Sequence, residues 1–592
     1  MKRQNKNHQF PCSLLLMLLG IVLSFNNCTN LDEHVYDKID GRTFLQTKED
    51  VYRDFLRTFD HAYYSIHGWD GGLPGNQASI NELTADQIMT PKRGGDWFDG
   101  GVYYQMHYHT WTSLHPVASS QWNLLYTGIT LSTNSIEDIQ AIDPAKFNLT
   151  DAEVKEFIAE LRTMRAWFYL RLFDLYRNIE IITKVQNETK GKEQSTPQET
   201  FHFIEKELKE AMPDLFTREQ FGSVNNWNGR WTKTAAASIL ARLYLNAKVY
   251  IGQDKYNDCA IICQDIIDGK YGKCGLEDRW DAPFDYTNAA SPEVIFGFPG
   301  SYSGTHYHYG VGLYQWTMPF NTEPYFSFVP PATPYGGFNP RYAMQPGRNV
   351  DSVEYAFQLG KPFVKFQKYP DDLRLKKYRN LGGSKREGMF VYGYIDYKNA
   401  KGETVYIKNG PDGGAPYYIR DAVGQFNSTP PGQPIANKLS NMTSADHNSG
   451  VCVIKYPYYP DNDPNKYTSS YAEIRLAEIY YSLAECKYRA GDKAAAAALL
   501  NAVRKRNYPT GSASLYKPDG SQLTDQEMLD EWGREFLFEN RRRIDLIRWG
   551  VYNTGIWWDK QPDPDNHTSI LPIGQSVLNL NPQLKQNPGY DK

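Results

Sequence analysis

Long apolar runs are nearly absent from this chain. Ser13–Phe25 (SLLLMLLGIVLSF) is the one uninterrupted stretch. It is too short for a bilayer, which takes about 20 residues, so no membrane-spanning helix is expected. A surplus of one charge is missing too. Lys and Arg number 64 against 68 Asp and Glu, a net charge of −4, which leaves no basic stripe to neutralise nucleic-acid phosphates. Cysteine is sparse, seven in 592 residues, with no CxxC spacing. A disulfide framework is therefore not expected in so large a core. Cys259 and Cys263, one helical turn apart, read as buried structural thiols. Catalytic signatures are lacking as well: there is no GxSxG, no HExxH and no GxxxxGK[ST]. His107 and His109 alternate, as do His306 and His308, but neither pair has a third ligand in reach of the pattern. Surface or stacking roles are expected for them. Asp461-Asn462-Asp463 opens like a calcium loop, yet Lys466 and Ala472 stand where Gly and Glu are required. No cofactor and no metal are expected.

What the chain has in quantity is aromatic side chains, 14% of residues, with 43 Tyr and 13 Trp. Such rings carry an apolar face and a polar edge, the chemistry of contact surfaces. The 41% of hydrophobic residues suffice for a large core. At the start, Lys2, Arg3 and Lys6 precede the apolar run, the pattern of a secretory signal peptide over 1–27. Cys28 follows at once, where a bacterial lipoprotein is cut and acylated, although Phe25-Asn26-Asn27 replace the usual small residues. Asp32-Glu33 resembles the export signal of surface lipoproteins in Bacteroidetes-type bacteria. Lipidation at Cys28 would tether the folded part to a membrane without burying it.

The rest reads as helices at both ends with irregular chain between. Leu161, Met164, Phe168, Leu172 and Leu175 form one apolar stripe ending near Tyr176. Thr196-Pro197 with Glu199 opens a second helix, closed by Pro213. A third starts at Thr232. The turn Gly252-Gln253-Asp254 leads to a fourth that ends at Gly269. These last two form a pair of tetratricopeptide type. A second such pair spans Tyr471–Arg506, with its turn at Gly491-Asp492. Between about 280 and 465 periodicity fails and Pro, Gly, Asn and Tyr dominate; Gly388–Tyr392 is a candidate short strand. The expected parts are an N-terminal helical part 28–279, a loop-rich region 280–465 and C-terminal helices 466–592, with 28–592 as one compact unit.

The run from Glu531 to Gly550 resembles the C-terminal signature of the SusD/RagB family. It carries Glu531, Arg534, Glu535, Phe538, Glu539, Arg542, Asp545, Leu546, Arg548, Trp549 and Gly550 at matching places. Trp532 replaces an Arg and Asn540 a Gly; Asn tolerates the left-handed turn a Gly would supply. Glu82–Asp86, Arg230–Ala236 and Arg475–Glu478 fit other family blocks in order. Leu175-Tyr176-Arg177-Asn178 departs from the family's Leu-Tyr-Gly-Asp run. The signature itself reads as a lattice of Arg and carboxylate fixing elements together, not as a catalytic set. The resemblance implies a mainly α, SusD-like globular fold with tetratricopeptide-type helix pairs and a long loop-rich middle. It implies a non-catalytic lipoprotein of the outer membrane that passes glycan to a TonB-dependent, SusC-like transporter. Alternatives are a peptide-binding member of the same family and an extracellular glycosidase, for which Asp96 and Asp99 would be the carboxylates.

Sugars offer flat C–H faces to aromatic rings and hydroxyls to Asn, Asp and Arg. Two loops combine these. One holds Asp96, Trp97 and Asp99 between Gly94-Gly95 and Gly100-Gly101, followed by Tyr103. The other holds Tyr314 and Trp316. Trp557 and Trp558 read as packing.

Overall fold

Helix starts are written in the sequence as caps, and the structure, a computed structural model, follows them. It describes residues 45–67, 77–184, 191–300, 316–327, 338–427, 429–459 and 469–591. The signal peptide, Cys28, Tyr314, His306, His308 and the 461–466 loop lie outside the described residues.

Ten helices build the frame: α1 Gln77–Leu83, α2 Pro116–Gln140, α3 Asp151–Tyr176, α4 Pro197–Ala211, α5 Lys233–Leu245, α6 Tyr256–Ile267, α7 Leu476–Arg489, α8 Lys493–Arg504, α9 Asp525–Glu535 and α10 Arg542–Arg548. Thr196 and Glu199 cap α4 reciprocally with Pro197 at its first position, and Thr232 caps α5. Thr150 and Glu153 do the same for α3, which therefore starts ten residues before the visible stripe. The early turns of α3 bury carboxylates that interrupt the apolar pattern. Glu160 accepts from Arg230 Nε at 2.6 Å and Glu156 from Arg230 Nη2 at 3.0 Å.

The helices pack in succession: α2 on α3, α3 on α4, α4 on α5, α5 on α6, α6 on α7 and α7 on α8. The two tetratricopeptide-type pairs, far apart in sequence, thus stack as neighbours and bury each other's stripes. Gly128 lets α2 approach α3; a Cβ there would lie 2.3 Å from the Phe168 ring. Cys259 and Cys263 sit buried on α6 with sulfurs 3.9 Å apart. Burial pushes the Cys263 thiol up, which keeps it protonated and unreactive.

The second pair, read over Tyr471–Arg506, has its first helical stripe from Leu476, and the helix starts there. The five residues ahead of it, Tyr471–Arg475, are a strand, antiparallel to Val294–Phe298 with Phe298 opposite Tyr471. That ladder claims the backbone a helix would use, and α7 begins only at Leu476. The 280–465 stretch holds short ladders, among them Phe390–Val391 against Cys452–Val453 and Gly393–Tyr394 against Tyr418–Ile419. Gly388, at φ +69°, is required there, since a Cβ would fall 1.9 Å from the Lys376 carbonyl oxygen. By contacts the chain divides into two units, 1–51 and 52–592; every helix and strand named here belongs to the second.

The signature forms a buried charge lattice, though not through the i,i+3 pair Arg542–Asp545. Arg542 Nε donates instead to Asp86 Oδ1 at 2.6 Å, while Arg548 Nη2 donates to Asp545 Oδ1 at 2.8 Å. Asn540 is left-handed, with φ +61°. Its carbonyl accepts from Asn81 Nδ2 at 3.1 Å, and the Arg541 N–H donates to Glu82 Oε1 at 3.1 Å. The N-terminal block Glu82–Asp86 and the C-terminal signature are therefore two halves of one contact.

Glu82 is fully buried, and its Oε2 has no hydrogen-bond partner among the described residues. Burial pushes its carboxyl up to about 8, against partial relief from the Arg541 and Asn540 backbone N–H groups. The folded state thus holds a proton between pH 4.5 and 8 that the unfolded chain releases. Stability from this group is full at the acid end and is lost as pH rises through that window. Glu82→Gln is expected to match the natural protein closely near pH 4.5. Its advantage should widen to the order of 2 kcal/mol at pH 9 in chemical denaturation. A difference that stays constant with pH would contradict this.

Candidate functional site

The loop after Thr90 is anchored before it is shaped. Arg93 is buried, and its Nη1 donates to the carbonyls of Asp446 at 2.6 Å and Ser449 at 2.8 Å. Arg93 and Asp96 exchange backbone hydrogen bonds of 3.0 and 2.8 Å, closing a turn over Gly94-Gly95. Beyond it Trp97 stands at φ +64°, Asp99 at +43°, Gly100 at +69° and Gly101 at +87°. Two of these are not glycine, and each such residue costs about 1–3 kcal/mol. Strain of that kind persists where surrounding structure holds it, and it gathers at ligand clamps.

What holds Trp97 is Arg341. Its guanidinium carbon lies 4.7 Å from the Trp97 ring centre and 4.0 Å from that of Trp316. The cation thus bridges the two indoles named from the sequence, bringing both loops to one place. Both indoles are half-buried. Trp316 stacks on Tyr342 at 6.3 Å and accepts the Tyr342 N–H at 2.8 Å; Tyr342 in turn meets Phe538 of the signature at 5.5 Å. A rigid column therefore runs from the helical frame to the indoles.

Polar groups surround them. Asp96 is exposed, with Oδ2 3.4 Å from His447 Nε2. His447 is buried and faces Asp412 through Nδ1 at 3.1 Å, and its N–H donates to Asp412 Oδ2 at 2.7 Å. Burial of Asp412 would raise its carboxyl, but hydrogen bonds from His447 and Asn409 outweigh that and hold it low. Asp99 is exposed. Tyr103, expected to contact ligand, is only 2% exposed. Burial foremost, with the negative charge and hydrogen bond of Asp99 adding, raises its hydroxyl pKa. Its ring supports the loop from beneath instead of facing solvent. On the outer side of the same loop, Phe98 is 47% and Tyr104 41% exposed. They border a groove of about 510 Å³ with Gln105, Thr110, Thr112 and Thr443.

Arg341 and Phe98 were not singled out from the sequence. Phe98 neighbours Trp97 and could have been. Nothing near Arg341 announces a partner some 240 positions upstream. The histidines of the first HxH pair are buried, not on the surface: His107 Nε2 lies 2.6 Å from Asp559 and His109 Nδ1 2.7 Å from Asp563. Their stacking role holds, His109 lying 4.4 Å from the Tyr552 ring. Trp557 and Trp558 are buried packing residues.

Comparison with known proteins finds matches in two parts of the chain. A family model described as "SusD family" matches residues 432–590. Another, "Starch-binding associating with outer membrane", matches 84–245. The "Starch-binding protein SusD" of Bacteroides thetaiotaomicron is 27% identical over 453 residues, covering 75% of this chain and 74% of its own. Among solved structures, a SusD homolog from Bacteroides thetaiotaomicron superposes with a TM-score of 0.64 at 20% identity, covering 93% of this chain and 98% of its own. A "Laminarin binding SusD-like protein" gives 0.62 at 18%, covering 92% and 100%. These structures share the fold over nearly the whole chain.

Proposed function

Because this chain belongs to the SusD family, we propose that it is an outer-membrane, surface-anchored binding protein that captures oligosaccharide and passes it to a TonB-dependent transporter. It is a binding protein and not an enzyme, in keeping with its relatives. The observation that carries the reading is the Arg341 guanidinium held between Trp97 and Trp316, with Trp97 on strained backbone. Two half-exposed indoles fixed by one cation present ring surface that needs no ordering when a sugar arrives. A pyranose C–H face stacks on such a ring, and Asp96 and Asp99 accept from its hydroxyls. The starch-binding and laminarin-binding names of relatives support a glycan as ligand.

Affinity electrophoresis against a panel of polysaccharides tests the ligand class. Retardation by at least one neutral polysaccharide is expected. Retardation by none, with peptide binding in its place, would transfer the site to peptides, and sustained release of reducing sugar would make the protein a glycosidase.

Anchoring is proposed to run through an acyl group on Cys28. Cys28→Ala is expected to move the protein from the membrane fraction to the soluble one and to abolish palmitate labelling. Retention of label would exclude Cys28. Co-purification with a β-barrel transporter checks the delivery step.

A further inference from the structure

At the end of α3 the backbone makes a turn that few side chains tolerate. Arg177 has φ +61° and ψ −56°, and the Asn178 N–H donates to the Tyr176 carbonyl at 2.6 Å. This is a γ-turn of the rare, strained hand. Glycine adopts it freely, and the resembling family run has Gly at this place. Here the chain accepts strain and gains a guanidinium.

That guanidinium is not spent on structure in the usual way. Arg177 makes no side-chain hydrogen bond or ion pair among the described residues. Its carbon lies 5.1 Å from the Phe173 ring centre and 4.5 Å from that of Tyr250, and Nη1 is buried without a partner. The neighbouring carboxylate, Asp174, is already engaged by Arg543 Nη1 at 2.7 Å and by the Tyr250 hydroxyl at 3.2 Å. Arg177 lines a groove of about 610 Å³ together with Tyr552, Asn553, Asn566, His567 and Ser569. That volume suits a small ligand. Asp565 also borders the groove, but His567 Nδ1 holds its carboxylate. The groove thus offers one unpaired cation, packed on the rings of Phe173 and Tyr250, beside the Asn566 amide.

We propose that this groove is a second sugar site, which takes an acidic sugar unit by its carboxylate on Arg177. The inference rests on the glycan reading above for the class of ligand. A guanidinium fork matches a carboxylate in shape and charge, while the Asn566 amide suits hydroxyls.

The test uses the full-length protein in low-salt buffer and titrates sodium glucuronate, glucose and sodium acetate by calorimetry. Glucuronate is expected to bind at least about tenfold more tightly than either glucose or acetate, the size of one charge-assisted pair. Arg177→Gln and Arg177→Gly should both erase that preference. Arg177→Gly should melt at or above the natural temperature, because it removes the strain. Trp97→Ala should leave the glucuronate preference untouched, which separates this site from the first. Four results would overturn the proposal: glucuronate binding no tighter than glucose, acetate matching glucuronate, the preference surviving in Arg177→Gln, or the preference disappearing with Trp97→Ala. A lowered melt in Arg177→Gly would assign Arg177 to the negative end of α3 as a structural cation and overturn it as well.

Discussion

Trp97→Ala is expected to weaken binding of a neutral oligosaccharide by roughly ten- to a hundredfold, about 1.5–3 kcal/mol, with the thermal melt within a few degrees of the natural protein. The indole is half-buried on an exposed loop, so its loss removes stacking surface without opening a core cavity. Alanine keeps the positive φ and with it most of the existing strain. Arg341 then faces Trp316 alone, which costs about 1 kcal/mol of cation–π attraction. Trp316→Ala should act in the same direction. Arg341→Met separates contact from support: it preserves both rings but frees them, so affinity should fall while both indoles remain. Calorimetry on the polysaccharide identified by electrophoresis reads all three. Unchanged affinity in Trp97→Ala would remove that ring from the site, and a collapse of the melt would make it a core anchor.

Arg475→Met is expected to destabilise the fold by about 3–5 kcal/mol in urea titration. Arg475 is 1% exposed at the junction of the Tyr471–Arg475 strand and α7. Its Nη1 donates to Glu293 at 2.8 Å and Glu535 at 3.2 Å, and its Nε and Nη2 each donate to Glu539 at 2.8 Å. Arg506 also engages Glu293 and Glu535, and Lys455 engages Glu539. Four cations, counting Arg374, balance Glu293, Glu535, Glu539 and Asp372. Removing one leaves a buried carboxylate uncompensated. The same knot sets the acid limb. Burial alone would raise Glu535, but Arg506, Arg475 and Arg374 reverse this and hold it far below the usual range. Glu473 is likewise lowered to about 2 by Arg171 and Arg242, against its burial. Depressed carboxylates stabilise the folded chain above about pH 4.5, and that stabilisation is lost as pH falls toward 2. Arg475→Met should therefore unfold at a higher pH than the natural protein; coincident acid transitions would show the knot to be dispensable.

Local signals made the helices legible. Thr196, Pro197 and Glu199 state a helix start without knowledge of any partner, and so do Thr232 and the Gly252 turn. The Tyr471–Arg475 strand was not legible, because its stabilising partner at Val294–Phe298 lies far upstream and the segment runs directly into a helix. Asn540 could be read as a left-handed position from a Gly-to-Asn exchange alone. In the candidate site, Trp97 and Trp316 stand out as aromatics among turn residues, but their meeting depends on Arg341, whose neighbours give no hint. Tyr103 shows the opposite difficulty. Its loop context implies exposure, and only packing reveals that the ring faces inward. His107 and His109 likewise gave no sign of the carboxylates, Asp559 and Asp563, that accompany them into the interior.

The ladder between Val294–Phe298 and Tyr471–Arg475 has one more consequence. Phe298 and Tyr471 lie side by side, so the segment between them starts and ends at one seam, yet its described residues are bound into the frame on the way, Met344 pairing with Ile88 and Lys455 with Glu539. An exchange of that segment as one piece would have to carry those joints with it, because Arg374 and Lys455 complete the buried charge knot.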